Sequence, residues 1–418
     1  MMWTSKRLDV SWTDLIYGLT ACFVPGRHAA KARAVEECWS AGGDGLVALS
    51  VRSGFDLLLS AAEFPVGSEV IFSALTIADM PRIVEHHGLV AIPIDIDRET
   101  TQPRVDALHA AVTSNTRAIV VTHLYGGRLD VEPIVAFART RGLMVIEDCA
   151  QAFAGPGYTG HPDSDVAMFS FGPIKTATAF GGGLLRVRDA NLLARMRQRQ
   201  QEYAVQPTGA YAARLLKYAV LHAVSGQVMY GTVLALLRAV GVDHDRLVHR
   251  LTRGFSGPEF FARIRRRPCV ALLRMLHRRL REDHVRLARR IVDGDALQRR
   301  LGATVTCPGG SLTPHHYWVF PILAPEPKRL IRALREAGFD ATEGRSFDVV
   351  QNPLGSGAHD TTQAKDILSH AVYLPFYPEM SRRGWERMAQ VLSDDIVRDV
   401  SPVDFRDPVR SRGASSRG

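Results

Sequence analysis

The sequence predicts an α/β fold: a mostly parallel central sheet followed by a smaller C-terminal αβ domain. Three observations predict it. Between residues 46 and 190, short apolar runs alternate with helically spaced segments. The runs are rich in Val and Ile, as in parallel strands covered on both faces by helices. A second, shorter αβ pattern begins after residue 300.

The elements follow in order. Val70-Ile71-Phe72, Val90 to Ile94, Ala118 to Thr122 and Leu143 to Ile146 read as strands. Met80–His87, Val105–Val112 and Val131–Arg141 have helical spacing between them. A helical pattern over Leu57–Ala62 precedes the first of these strands, with Ser53-Gly54-Phe55 as its N-terminal turn. Gly181-Gly182-Gly183 reads as a glycine-rich turn entering another strand. From Asn191 the chain becomes mostly helical, with one long arginine-rich pattern from Cys269 to Leu297. Strand Tyr317–Leu323, helix Lys328–Ala337, strand Val372–Pro375 and helix Arg383–Leu392 build the last unit. The expected organisation is therefore an N-terminal segment (1–45), a large domain (46–300), a small domain (301–398) and a basic flexible tail (399–418).

Composition bounds the function. The chain has 418 residues, 46% hydrophobic and 23% charged, as in an ordinary globular protein large enough for two domains. Five cysteines without paired spacing argue against a disulfide framework or zinc site and for a cytoplasmic setting. The apolar run Leu15–Val24 is short and follows Asp14, unlike a signal peptide. The net charge of +9 concentrates at Arg263–Arg290 and in the tail. A solvated helix face and a frayed terminus explain it; no nucleic-acid module or aromatic interleaving accompanies it, so no nucleic-acid partner is expected.

The chemistry lies between Val145 and Gly183. Asp148 directly follows a strand, where ligands bind in such sheets. Further on, Phe169-Ser170-Phe171-Gly172-Pro173-Ile174-Lys175 places a hydroxyl and an amine in a turn. An acid for a pyridine nitrogen, a phosphate anchor and an amine for an aldehyde are what pyridoxal 5'-phosphate (PLP) requires. Lys175 is the candidate Schiff-base lysine and proton shuttle. Asp148 is the partner of the ring nitrogen, and Gln151 faces the phenolic oxygen. Ser170 binds phosphate, joined by the amides of Gly54 and Phe55 at a helix N-terminus. His123 either borders this site or is a satisfied buried histidine. Glu147 points away from it, one residue along the strand from Asp148.

These segments resemble the DegT/DnrJ/EryC1/StrS family of PLP-dependent aminotransferases. The resemblance rests on Ser53-Gly54, Pro65-x-Gly67-x-Glu69, Asp95-Ile96-Asp97, His123-Leu124-Tyr125-Gly126 and Glu147-Asp148-Cys149-Ala150-Gln151. Phe169-Ser170-Phe171-x-Pro173-x-Lys175, the glycine run and Leu374-Pro375-x-Tyr377-Pro378 complete it. It implies the type I aminotransferase fold, a homodimer with sites at the interface, and transfer of an amino group from L-glutamate to a nucleotide-linked keto sugar. Retention of Lys175 disfavours the dehydratase variants. Another PLP reaction on sugars, or a non-catalytic scaffold of the same fold, is the alternative.

The chain also departs from the family. Phe55 stands where a threonine is usual, and Ile77 replaces an aromatic expected on the cofactor face. The Gly-x-Asn-Tyr-Arg segment that reaches the partner's cofactor is missing after Tyr203. A histidine or tyrosine expected before the small-domain substrate loop is absent, and the loop reads Arg345-Ser346-Phe347-Asp348. In place of the missing segment is an insertion at about 204–262, with an apolar run from Tyr218 to Leu237. Its length could span a bilayer, but interior glycines and polar residues favour helices packed on the dimer, or membrane-surface contact through 210–262. The expected setting is cytoplasmic, with peripheral contact at the inner face of the membrane as the variant reading. The substrate surface looks rebuilt around a retained cofactor core, with a lipid-linked sugar as one acceptor.

Overall fold

The protein is described from a computed structural model. It describes residues 2–5, 7–155, 157–226, 229–232, 257, 259–282, 285–302, 305–344, 346–353 and 359–399. The strands of the large domain are β1 (Gly45–Ala48), β2 (Glu69–Ser73), β3 (Leu75–Thr76), β4 (Val90–Ile94), β5 (Thr116–Thr122), β6 (Met144–Asp148), β7 (Val166–Ser170) and β8 (Gly183–Val187). Its helices, with the N-terminal pair, are α1 (Trp12–Ala21), α2 (His28–Trp39), α3 (Val51–Ala62), α4 (Asp79–His86), α5 (Val105–Ala111), α6 (Glu132–Arg139), α7 (Ala190–Gln201) and α8 (Thr208–Val224).

Seven strands form one sheet in the order β1-β8-β7-β6-β5-β2-β4. Pairings β2–β4, β2–β5, β5–β6 and β6–β7 are parallel; β8 runs antiparallel to both β1 and β7. Side chains alternate across the sheet, and the sequence exploits that period. Val70 and Phe72 pack with Phe55 and Leu58 of α3 and Met80 and Ile83 of α4. Ile71, between them, packs on the other face with Leu108 of α5 and Ile134 and Val135 of α6. Burial on both faces is why these strands read as continuous apolar runs.

A second core unites the N-terminal helices with the large domain. Leu15, Val35 and Trp39 pack with Phe169, Phe171, Leu272 and Met275, and Trp39 meets Phe169 edge-on with ring centroids 4.7 Å apart. The segment Leu15–Val24 is thus largely α1. Its start is fixed by a capping box in which the Ser11 hydroxyl accepts from the Asp14 amide and Asp14 accepts from the Ser11 amide.

The C-terminal unit surrounds the antiparallel pair Phe320–Leu323 and Ala371–Leu374. Leu297 and Leu301, at the end of the helix Val285–Leu301, belong to this core with Ile322, Leu334 and Val372. The expected boundary at residue 300 therefore cuts through one helix.

Two other expectations change. The long pattern Cys269–Leu297 is two helices, Val270–Leu280 and Val285–Leu301. The arginines of 263–290 are not simply a solvated face. Arg279 is buried against Asp14 at 2.9 Å, Arg278 reaches the same carboxylate at 2.8 Å, and Arg265 pairs with buried Asp56 at 2.9 Å. Periodicity could not show that these charges have acidic partners on distant elements.

Of the insertion, α8 packs through Tyr211, Leu215 and Tyr218. Residues 233–256 lie outside the described residues, as do Arg345 and the tail from 400. Among the described residues no helix is long and apolar enough to cross a membrane.

Candidate active site

The carboxyl ends of β5, β6 and β7 open onto a cavity of about 440 Å³, within the range of cofactor sites. Asp148, Gln151, Ser170, Lys175 and Ile77 all lie on its wall. These were the expected ring-nitrogen acid, phenolic-oxygen contact, phosphate anchor, amine and aromatic replacement. The fold thus brings together residues from β6, β7 and the turns around them.

Asp148 ends β6 in the interior. Burial pushes its pKa above the usual carboxylate value, although the Ala150 amide, donating at 3.0 Å, and the charge of Lys175 oppose that rise. Gln151 is oriented at both ends: its Oε1 accepts from the Tyr125 amide at 2.9 Å, and its carbonyl meets His316 Nε2 at 2.7 Å.

The loop that carries Lys175 is held from three parts of the chain. The Lys175 amide donates to the Gly172 carbonyl at 3.0 Å, closing the turn. Asp9, from the N-terminal segment, accepts from the Ala177 amide at 2.7 Å. Arg290, from the helix Val285–Leu301, donates to the Thr176 hydroxyl and lies against His316 Nδ1, both at 2.9 Å. Trp318 Nε1 donates to the Ile174 carbonyl at 2.8 Å, and its ring faces Lys175 Nζ at 3.9 Å. Ala177 (φ 52°) and Phe180 (φ 60°) both adopt left-handed backbone conformations. Such conformations persist only where surrounding contacts enforce them.

Gly54 and Phe55 do not reach the cavity, which corrects the expected phosphate cradle. Helix α3 begins at Val51, ahead of the expected Leu57. Ser50 is its cap, accepting from the Ser53 amide at 3.1 Å. The Gly54 amide is consequently spent on the Ser50 carbonyl at 3.0 Å. Phe55 is fully buried and stands edge-on to Phe72. A Cβ on Gly54 would lie 2.5 Å from Leu185, so that glycine permits helix–strand contact. The amides at the helix start, on Val51 and Arg52, lack carbonyls one turn back, and these two residues line the cavity.

His123 is the satisfied buried histidine. Leu129 donates to its Nδ1 at 3.0 Å, so Nε2 donates to Glu147 at 2.9 Å. Tyr158 and the His161 amide also donate to Glu147. Neither His123 nor Glu147 is on the cavity wall.

Sequence reasoning missed several wall residues: Arg52, paired with Asp79 across the cavity rim, Trp318, and Arg214, Lys217 and Tyr218 of α8. Ser346, Phe347 and Asp348 also reach it, because the strand Asp348–Val349 pairs with β3. Arg52, Arg214, Lys217 and Tyr218 had no local signal of a site, Trp318 was only part of an apolar strand pattern, and Ser346, Phe347 and Asp348 belong to the loop that the resemblance assigns to the substrate.

The fold and the lysine–carboxylate cavity define the PLP-dependent aminotransferase class. The chain belongs to the DegT/DnrJ/EryC1/StrS aminotransferase family, which it matches over residues 45–393. It is 39% identical to the GDP-perosamine synthase of Escherichia coli O157:H7 over 142 residues, 33% of this chain and 39% of that relative's length. Its fold is that of PseC, the Helicobacter pylori aminotransferase involved in pseudoaminic acid biosynthesis (TM-score 0.70, 15% identity, 95% of this chain and 100% of PseC covered). It is likewise similar to the aminotransferase TlmJ from Streptoalloteichus hindustanus (TM-score 0.69, 17% identity, 96% and 100% covered).

Proposed function

We propose that the protein uses PLP to transfer an amino group from an amino acid, L-glutamate first among candidates, to a keto sugar carried on a nucleotide or lipid. The observation that carries this reading is one cavity holding Lys175, buried Asp148 and Ser170 in a chain of the sugar aminotransferase family. The donor set fits PLP: an amine, a buried acid, a hydroxyl and helix-start amides. When bound, PLP supplies a reactive aldehyde and an electron-withdrawing ring.

The chain's own residues supply the rest. Asp148 holds a proton at the pyridine nitrogen. Lys175 Nζ would be the amine that holds the cofactor's aldehyde, and the same nitrogen would take and return protons at the substrate carbon. Ser170 Oγ and the Val51 and Arg52 amides bind phosphate. Gln151 has its Oε1 fixed on Tyr125, which leaves its NH2 to donate to the phenolic oxygen. Ser346, Phe347 and Asp348 form the acceptor side of the cavity. The GDP-sugar enzyme among the relatives supports a nucleotide-linked acceptor.

The test uses purified full-length protein supplied with PLP. A visible absorbance band is expected, and borohydride should fix a pyridoxyl group on Lys175. Glutamate should bleach the band, and a keto-sugar nucleotide should restore it. Lys175→Ala should lose the band and all transfer while remaining folded. No pyridoxyl group on Lys175 in cofactor-saturated protein refutes the reading.

The reading includes a cytoplasmic homodimer, supported by the five free cysteines and by an apolar surface on α1 and α8. Trp12, Ile16, Leu216 and Val220 are each at least half exposed there.

A further inference from the structure

Helix α8 brings two cations to the cavity wall. Arg214 and Lys217 are three residues apart, so one helical turn places them on the same face, and both line the cavity with Lys175. The helix is fastened in that position. Tyr218 stacks on Phe180 with ring centroids 5.1 Å apart, and the Tyr211 hydroxyl donates to the Ala179 carbonyl at 2.9 Å.

Arg214 Nη1 donates to the Phe180 carbonyl at 3.0 Å. Gly181 follows, and a Cβ there would lie 3.0 Å from that same nitrogen. The glycine run then meets the start of α3: a Cβ on Gly183 would lie 2.6 Å from the Ser50 carbonyl carbon and 2.7 Å from the Val51 amide nitrogen. Gly182 donates to the Leu49 carbonyl at 2.8 Å. The guanidinium therefore rests on a short stretch of backbone packed against the anion-facing end of α3. Burial, and then the neighbouring Arg214, pull the Lys217 amine below its ordinary pKa. A bound anion would relieve that repulsion between like charges.

We propose that Arg214 and Lys217 bind the phosphate of the cofactor, so that α8 completes the phosphate site from the same chain that carries Lys175. The proposal rests on the PLP reading above. It gives the insertion a role in the site, where the missing Gly-x-Asn-Tyr-Arg segment would have reached across a dimer. Two charge-assisted contacts join the amides of Val51 and Arg52 and the Ser170 hydroxyl.

The test titrates full-length apoprotein with PLP and with pyridoxal, which lacks the phosphate, following the visible band at Lys175. Arg214→Gln and Lys217→Gln should each weaken PLP binding about tenfold, as expected for one hydrogen bond to a charged group. Pyridoxal binding should be unchanged, and inorganic phosphate should compete less well in both variants. Equal weakening of both compounds overturns the proposal by showing a structural role. PLP affinity within twofold of wild type also overturns it; a raised KM for a keto-sugar nucleotide in that case assigns the cations to the substrate's diphosphate. If Arg214→Gln fails to fold without its Phe180 contact, Lys217→Gln, at the exposed edge of the same cavity wall, decides. A wild-type chain that binds neither compound at Lys175 refutes the PLP reading itself. A wild-type band with unaffected variants refutes only the present proposal.

Discussion

At the residue scale, Glu147 and Asp148 show how one peptide step separates two functions. Adjacent strand residues face opposite sides of the sheet. Burial pushes Asp148 upward, and the partial opposition of Lys175 and one amide leaves it raised. Burial also opposes charge on Glu147, but the hydrogen bonds from His123 and the His161 amide overrule it and bring the pKa down to about 2. Glu147 thus ties β6 to the His123 turn and to the Tyr158–His161 segment. Glu147→Ala would strand the donors of His123, Tyr158 and His161. It should destabilise the protein by about 3 kcal/mol or more, since each unsatisfied buried donor costs about 1–3 kcal/mol. Denaturant unfolding at neutral pH measures this. Because the folded pKa is depressed, the ionised Glu147 contributes fully above about pH 4.5, and the contribution fades as pH falls toward about 2. The gap in stability between wild type and Glu147→Ala should narrow over that window; a constant gap would contradict the pairing.

At the element scale, the start of α3 decides which amides meet the ligand. Ser53-Gly54-Phe55 suggested a turn because serine and glycine are common at caps. The competing signal was Ser50 followed by apolar residues at Val51, Phe55 and Leu58, a helical spacing that buries all three. Tertiary contact settles the choice, since only a helix already formed at Gly54 brings its backbone against Leu185. Gly54→Ala is the corresponding prediction. The added methyl meets Leu185 at 2.5 Å, and overpacking of this kind costs about 1–3 kcal/mol. Thermal or denaturant unfolding should show that loss while PLP affinity is retained. A loss of PLP affinity with stability intact would restore Gly54 to the phosphate site.

At the scale of the whole molecule, the lysine loop is a meeting point. Asp9 from the N-terminal segment, Arg290 from the helix Val285–Leu301 and Trp318 from the C-terminal unit all hold it. The apolar surface of α1 and α8 adjoins this assembly, and Trp12 meets His222 across it with ring centroids 5.0 Å apart. If that surface is the homodimer contact, Leu216→Asp and Val220→Asp together should yield monomers by sedimentation. Residues 210–262 are also the segment that the sequence offers for contact with a membrane surface. Pelleting of the unaltered dimer with anionic liposomes, lost in the same double variant without a change of oligomeric state, would assign the surface to lipid instead.

The sequence by itself determined the sheet and the chemical pair at its centre. Val- and Ile-rich strands are a local signal, and so is an acid at a strand end followed by a serine and a lysine in one turn. The tertiary structure alone decided which groups surround that pair. Arg52, Trp318 and the α8 pair Arg214 and Lys217 reach the cavity from three separate elements, and Gly54 and Phe55 leave it. The physical reason is that a strand's identity is carried by its own side chains, whereas the wall of a cavity is set by how distant elements pack, which no short run of residues encodes.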